Sequence, residues 1–155
     1  MVILGIDPGT TKIGYGIIEK KNNKLVCLGY GIIAHHDKDK LAQVKAVIND
    51  LSSLILKYKP EAAALEKLFF FKNKKTVIDV SEMRGVIIAA LANHNISLHE
   101  FTPLQVKQSV SSYGRADKIQ VESMVRLILN LKDRVKPDDA ADGLAIAICC
   151  ANTIL

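Results

Sequence analysis

Three β-rich runs parted by tight turns fill the first 34 residues, and helical periodicity begins only after them, an order that few folds accommodate. Residues 1–7 are apolar up to Asp7 and are closed by Pro8-Gly9. Residues 12–20 alternate Ile13, Tyr15 and Ile17 against Gly14, Gly16 and Ile18, and Asn22-Asn23 then signals a turn into residues 25–34. From Leu41 the apolar positions Val44, Val47, Ile48, Leu51, Leu54, Ile55 and Tyr58 follow a helical period that Pro60 ends. Residues 62–66 read as a buried strand, Val77 to Leu91 as a helix, residues 96–101 as a strand, and Val121 to Leu129 as a helix. A last helix, from about 138 to 154, is apolar nearly all round and must be buried. The pattern predicts one α/β domain over residues 1–155, with a mixed sheet of about five strands, three antiparallel and then parallel, and helices on both faces.

At 155 residues and 49% hydrophobic the chain can build a real core, and its 24% charged content argues against disorder. Twenty-one Lys and Arg against 16 Asp and Glu suit a polyanionic partner. Three cysteines, two of them the neighbours Cys149 and Cys150 in an apolar run, read as buried thiols of a reducing cytoplasm. No basic leader precedes the first apolar run, and no stretch approaches 18 consecutive apolar residues.

The acids sit where they are costly. Asp7 and Glu66 each end an otherwise apolar strand, and Asp138, Asp139 and Asp142 open the apolar last helix, where residues three or four apart share a face. Each has a bland reading. Asp7 can shape the Pro8-Gly9 turn, Glu66 can pair with Lys67 or another base, and Asp138 or Asp139 can cap the helix. Asp142, one turn inside, resists such a reading. Gathered at one rim, these carboxylates would repel unless a cation sat among them, and an all-oxygen set favours Mg²⁺ or Mn²⁺. The four His show no ligand spacing. A pair of such ions roughly 4 Å apart is suited to phosphodiester hydrolysis. Sequestering four acids leaves 21 cations against 12 carboxylates elsewhere, a surplus for a phosphate backbone. Phe69-Phe70-Phe71 holds three of the chain's four Phe beside Lys72, Lys74 and Lys75, a combination suited to unpaired bases and phosphates, although one of the three rings can equally plug a core or seam.

Several motifs occur in order along the chain: Gly5-Ile6-Asp7-Pro8-Gly9 with Gly14-Tyr15-Gly16, Leu65-Glu66 followed by Phe69 and Lys72-Asn73, Arg84-Gly85, Gln105-Val106-Lys107-Gln108, Gly114 with Lys118 and Gln120-Val121, and Asp139-Ala140-Ala141-Asp142-Gly143-Leu144-Ala145. Together they resemble the RuvC family of Holliday junction resolvases, of the ribonuclease H-like superfamily. The resemblance implies a cytoplasmic homodimer that nicks opposing strands of like polarity in a four-way DNA junction, leaving 5′-phosphate and 3′-hydroxyl ends. It implies two Mg²⁺ per active site, replaceable by Mn²⁺, held by Asp7, Glu66, Asp139 and Asp142. It also implies Lys107 and Lys118 near the scissile phosphate, Phe69 stacked on bases at the crossover, and work alongside the junction-binding protein RuvA and the motor RuvB. Lys72, Lys74, Lys75, Arg84 and Arg115 are the further DNA-binding candidates, and Asp138 beside Asp139 leaves two acids for one ligand position. The apolar excess of the helix at 76–91 marks it as the dimer seam.

Three rivals share features of this pattern. The turn from Ile6 to Gly14 also resembles the phosphate loop of actin-like ATPases, but no second such lobe occurs. A short RuvC-like nuclease acting on ribosomal RNA precursors shares the Gly-Ile-Asp turn without the Phe69 loop. A non-catalytic junction-binding protein would need none of the acids.

Overall fold

The computed structural model describes residues 1–36, 38–68 and 74–154. Three strands come first, β1 (Val2–Pro8), β2 (Lys12–Lys21) and β3 (Lys24–Ala34), followed by helix α1 (Lys40–Tyr58). Strand β4 (Ala62–Glu66), helix α2 (Lys74–Asn93) and strand β5 (Ser97–Phe101) alternate, and α3 (Pro103–Ser111), α4 (Lys118–Ile128) and α5 (Asp138–Thr153) complete the order. The sheet runs β3-β2-β1-β4-β5. β1 pairs antiparallel with β2 and parallel with β4, β2 antiparallel with β3, and β4 parallel with β5. This is the mixed sheet expected from the run order.

Local chemistry explains the boundaries. Asn22 and Asn23 both take positive φ, 49° and 61°, the pair of values a two-residue hairpin turn demands and Asn tolerates. Asp39 caps α1 by accepting from the Leu41 N–H at 3.1 Å, and Lys59 at φ 49° ends it before Pro60.

Two cores flank the sheet. On one face Leu4, Ile6, Ile13, Ile17, Ala63 and Leu65 pack with Val47, Leu51 and Ile55 of α1 and Met83, Ile87 and Leu91 of α2. On the other, Ile3, Ile18 and Ala64 meet α5 together with Val106 and Val110 of α3 and Val121 and Val125 of α4. Eleven of the sixteen residues of α5 are buried, as its all-round apolar sequence requires. The helix lies directly on the strands. A Cβ added to Gly5 would stand 2.1 Å from the Gly143 carbonyl oxygen, closer than any atom can approach. That contact brings the N-terminal turn of α5, with its acids, onto the end of β1.

Candidate active site

Parallel pairing of β1 with β4 sets Ile6 beside Leu65, so Asp7 and Glu66 leave the sheet side by side at the carboxyl ends of adjacent strands. Open α/β sheets bind ligands at such an edge. Across β1 and β2, Asp7 faces Gly14, and a Cβ on Gly14 would lie 1.9 Å from the carbonyl oxygen of Asp139. The missing side chain thus lets the first turn of α5 rest against the residue opposite Asp7. Asp142 follows one turn later, and Lys118, at the first position of α4, points its Nζ to Asp142 Oδ2 at 3.4 Å. Lys107 comes from α3. Asp7, Glu66, Asp142, Lys107 and Lys118 line one pocket of about 360 Å³, walled by Pro103, Val106, Val121, Ala145 and Ile146.

Burial pushes the Asp7 carboxyl up to about 7, helped by the charges of Asp142, Glu66 and Asp139 and opposed by Lys118. Glu66 is raised by burial and by Asp142, and lowered by Lys107, Lys118 and Arg84. Asp142 is raised by burial and held back by the Lys118 charge and hydrogen bond. Lys118 is in turn raised, chiefly by Asp142. The pocket therefore gathers more negative charge than its lysines balance.

Asp139 is half-buried and acts on Asp7, whereas Asp138 is exposed and lines a separate small cleft with Glu122 and Arg134. Neither caps α5, whose N-cap is Pro137 with no side-chain hydrogen bond. Among the described residues no three acidic, His or Cys side chains are drawn into a ready-made ion cage. The acids converge on one rim at longer range, as like charges do. Their donor set, all carboxylate oxygen, with protonation favoured by burial and by the neighbouring acids, fits a hard divalent cation.

Arg84 corrects one expectation. It is 8% exposed, and its guanidinium donates to the Glu66 carbonyl oxygen and pairs with the Glu100 carboxylate. Largely buried and engaged by the Glu66 carbonyl and Glu100, it is placed as a brace for the end of β4. Arg115 is exposed in the loop between α3 and α4. Phe69 and Lys72 lie outside the described residues, and Lys74 and Lys75 enter only as the backbone that opens α2.

Two contributors escaped the sequence reading. α3 itself was signalled by Thr102-Pro103-Leu104-Gln105, for Thr102 accepts from the Gln105 N–H at 3.2 Å and Gln105 Oε1 accepts from the Thr102 N–H at 2.8 Å. Glu122, 5% exposed, accepts from the Val135 N–H at 3.0 Å and from Arg134 Nε at 3.2 Å, tying α4 to the approach of α5.

The family model of crossover junction endodeoxyribonuclease RuvC matches residues 3–150. The chain belongs to the RuvC family. A RuvC of Heliobacterium modesticaldum is 48% identical over 157 residues, 99% of this chain and 96% of the relative. A RuvC of Halothermothrix orenii is 49% identical over 154 residues, covering 99% and 93%. Among solved structures, Thermus thermophilus RuvC in complex with Holliday junction substrate superposes with a TM-score of 0.91 at 31% identity, over 97% of this chain and 93% of that one. The fold is thus the ribonuclease H-like one of the RuvC resolvases, and the chain is a nuclease of that family. Among the described residues no helix is long and apolar enough to cross a membrane.

Proposed function

We propose that residues 1–155 act as a single nuclease domain that resolves four-way DNA junctions by paired symmetric nicks in strands of like polarity. The observation that carries this reading is the convergence of Asp7, Glu66 and Asp142 with Lys107 and Lys118 in one pocket of a RuvC-family chain, with Asp139 beside them. Asp7, Glu66, Asp139 and Asp142 would hold two Mg²⁺, which Mn²⁺ can replace. Bound there, the ions supply an activated water and charge stabilisation for the leaving oxygen, giving 5′-phosphate and 3′-hydroxyl ends.

The chain's own groups do the rest. Lys118 favours the ionised form of Asp142 and brings a positive charge to the rim where a phosphodiester enters, and Lys107 does the same beside Glu66. Arg84 fixes the Glu66 backbone from below. Pro103, Val106, Val121, Ala145 and Ile146 limit water on the inner side of the pocket.

A homodimer supplies two such pockets for two strands. Its seam runs along α2, where Ile78 is 59% and Ile88 36% exposed. The RuvA and RuvB branch-migration machinery is the expected partner, in a cytoplasmic setting consistent with three free cysteines. Phe69, Lys72, Lys74, Lys75 and Arg115 are assigned to the DNA.

The experiment presents end-labelled mobile four-way junction, linear duplex and a ribosomal RNA precursor to the protein with Mg²⁺ or EDTA. Ligatable nicks at symmetric positions of the junction alone, and only with Mg²⁺, are expected. Trimming of the RNA with an intact junction would overturn the assignment of substrate.

A further inference from the structure

The two pocket lysines sit on different helices, and residues 112–117 join α3 to α4 between them. This loop is pinned at both ends. Ser112, at φ 57°, ends α3 with its N–H on the Gln108 carbonyl at 2.9 Å, and the Ala116 N–H donates to the Tyr113 carbonyl at 3.1 Å. The Tyr113 N–H donates to Ser111 Oγ at 3.3 Å, and Asp117 and Gln120 cap α4 reciprocally at 2.8 and 3.0 Å. Ala116 is 1% exposed and anchors the loop in the core.

The loop folds back on the first turn of α3. A Cβ on Gly114 would meet Leu104 Cδ1 at 2.4 Å and Gln108 Cγ at 3.2 Å. Leu104 adjoins Pro103, a wall of the acid pocket, and Lys118 lines that pocket four residues beyond Gly114. Tyr113 and Arg115 therefore flank the glycine that packs on the α3 turn next to that wall. Tyr113 is 56% exposed; Leu104, on which Gly114 packs, is 53% exposed, and Ile119, next to Lys118, 64%. Exposing an aromatic ring to water is unfavourable, whereas an aromatic face beside cations takes a nucleobase well, and a rigid backbone lowers the ordering cost of binding.

Resting on the proposed junction-cleaving reading, we infer that Tyr113 is a DNA-binding residue whose ring stacks on a nucleobase close to the scissile phosphate. Arg115, exposed two residues further on, would take the adjoining phosphate. The contact is indifferent to base identity, since every base offers a π-face.

The test places 2-aminopurine, one position at a time, along the strand flanking the cut in a four-way junction. Binding in Ca²⁺ and cleavage in Mg²⁺ are measured for wild type, Tyr113→Phe, Tyr113→Leu and Tyr113→Ala. The inference expects quenching at one or two positions that wild type and Tyr113→Phe share and that Tyr113→Ala and Tyr113→Leu lose. It also expects binding roughly 5- to 100-fold weaker for those two variants, with thermal midpoints close to wild type. Tyr113→Leu keeps an apolar side chain at this position, so binding and quenching equal to wild type in that variant would overturn the inference. A wild-type protein that neither binds nor cuts the junction would instead overturn the reading on which it rests.

Discussion

Gly14 and Asp139 meet with no room for a methyl group between them, because a Cβ on Gly14 would stand 1.9 Å from the Asp139 carbonyl oxygen and 3.0 Å from its Cβ. Gly14 is also the residue paired across the sheet with Asp7. One glycine thus sets how closely an acid on a helix approaches an acid on a strand.

Gly14→Ala must push the first turn of α5 off the sheet. Overpacking of this kind costs about 1–3 kcal/mol, visible as a lower urea midpoint. Because misplacement by about 1 Å can cost 10²-fold in rate, junction cleavage should fall by at least that factor in whatever fraction remains folded. Wild-type cutting by a folded Gly14→Ala protein would show that Asp139 has no part in catalysis.

Asp7 makes stability depend on pH with a definite sign. Its carboxyl sits near 7 in the folded chain against an ordinary value of 3.8, so between those values the folded state holds the proton more tightly than the unfolded state. Stability of the ion-free protein should accordingly decline as pH rises through that window, with the full penalty above it. Asp7→Asn removes the titrating group, and its Tm at pH 8 should exceed wild type by about 2–6 °C in EDTA. The difference should shrink towards pH 4; a gap that widened on acidification would contradict the assignment.

Lys118→Met should raise Asp142 and Asp7 further, since Lys118 is the group that lowers both. The acid limb of the single-turnover cleavage profile is expected to move to higher pH, alongside a lower plateau. A plateau that drops with no shift of the limb would confine Lys118 to the phosphate.

For Arg84 the brace and the DNA contact make different forecasts. Arg84→Ala strands a part-buried carbonyl and the partly exposed Glu100, at a cost of roughly 1–3 kcal/mol in chemical unfolding. The salt dependence of junction binding should keep its wild-type slope, whereas loss of a phosphate contact would reduce that slope by about one.

Much of this architecture was legible in the chain because its signals are local. Asn22-Asn23 fixes the β2 to β3 turn, Pro60 stops α1, and the unbroken apolar character of α5 requires burial. The same holds for the acids: a carboxylate closing an apolar strand, such as Asp7 or Glu66, needs a reason to be there. Interactions that span the fold left no such mark. The Arg84 motif suggested a cation for DNA, yet its partners Glu66 and Glu100 lie 18 and 16 residues away on different strands. Glu122 carries no local signal, since nothing in its neighbourhood foretells the Val135 N–H. α3 was overlooked because nine residues give too short a period, although its Thr102 and Gln105 capping pair was readable. Gly14 was noted as part of a strand motif, but its role depends on where α5 lands.

The most direct measurement of the central claim compares wild type with Asp7→Asn on one four-way junction, following binding by gel mobility in EDTA and cleavage in Mg²⁺. The account predicts that both proteins bind with closely similar affinity, since the basic surface is unchanged, and that only wild type cuts. Cleavage by Asp7→Asn at a wild-type rate would remove the acid pocket from the chemistry altogether.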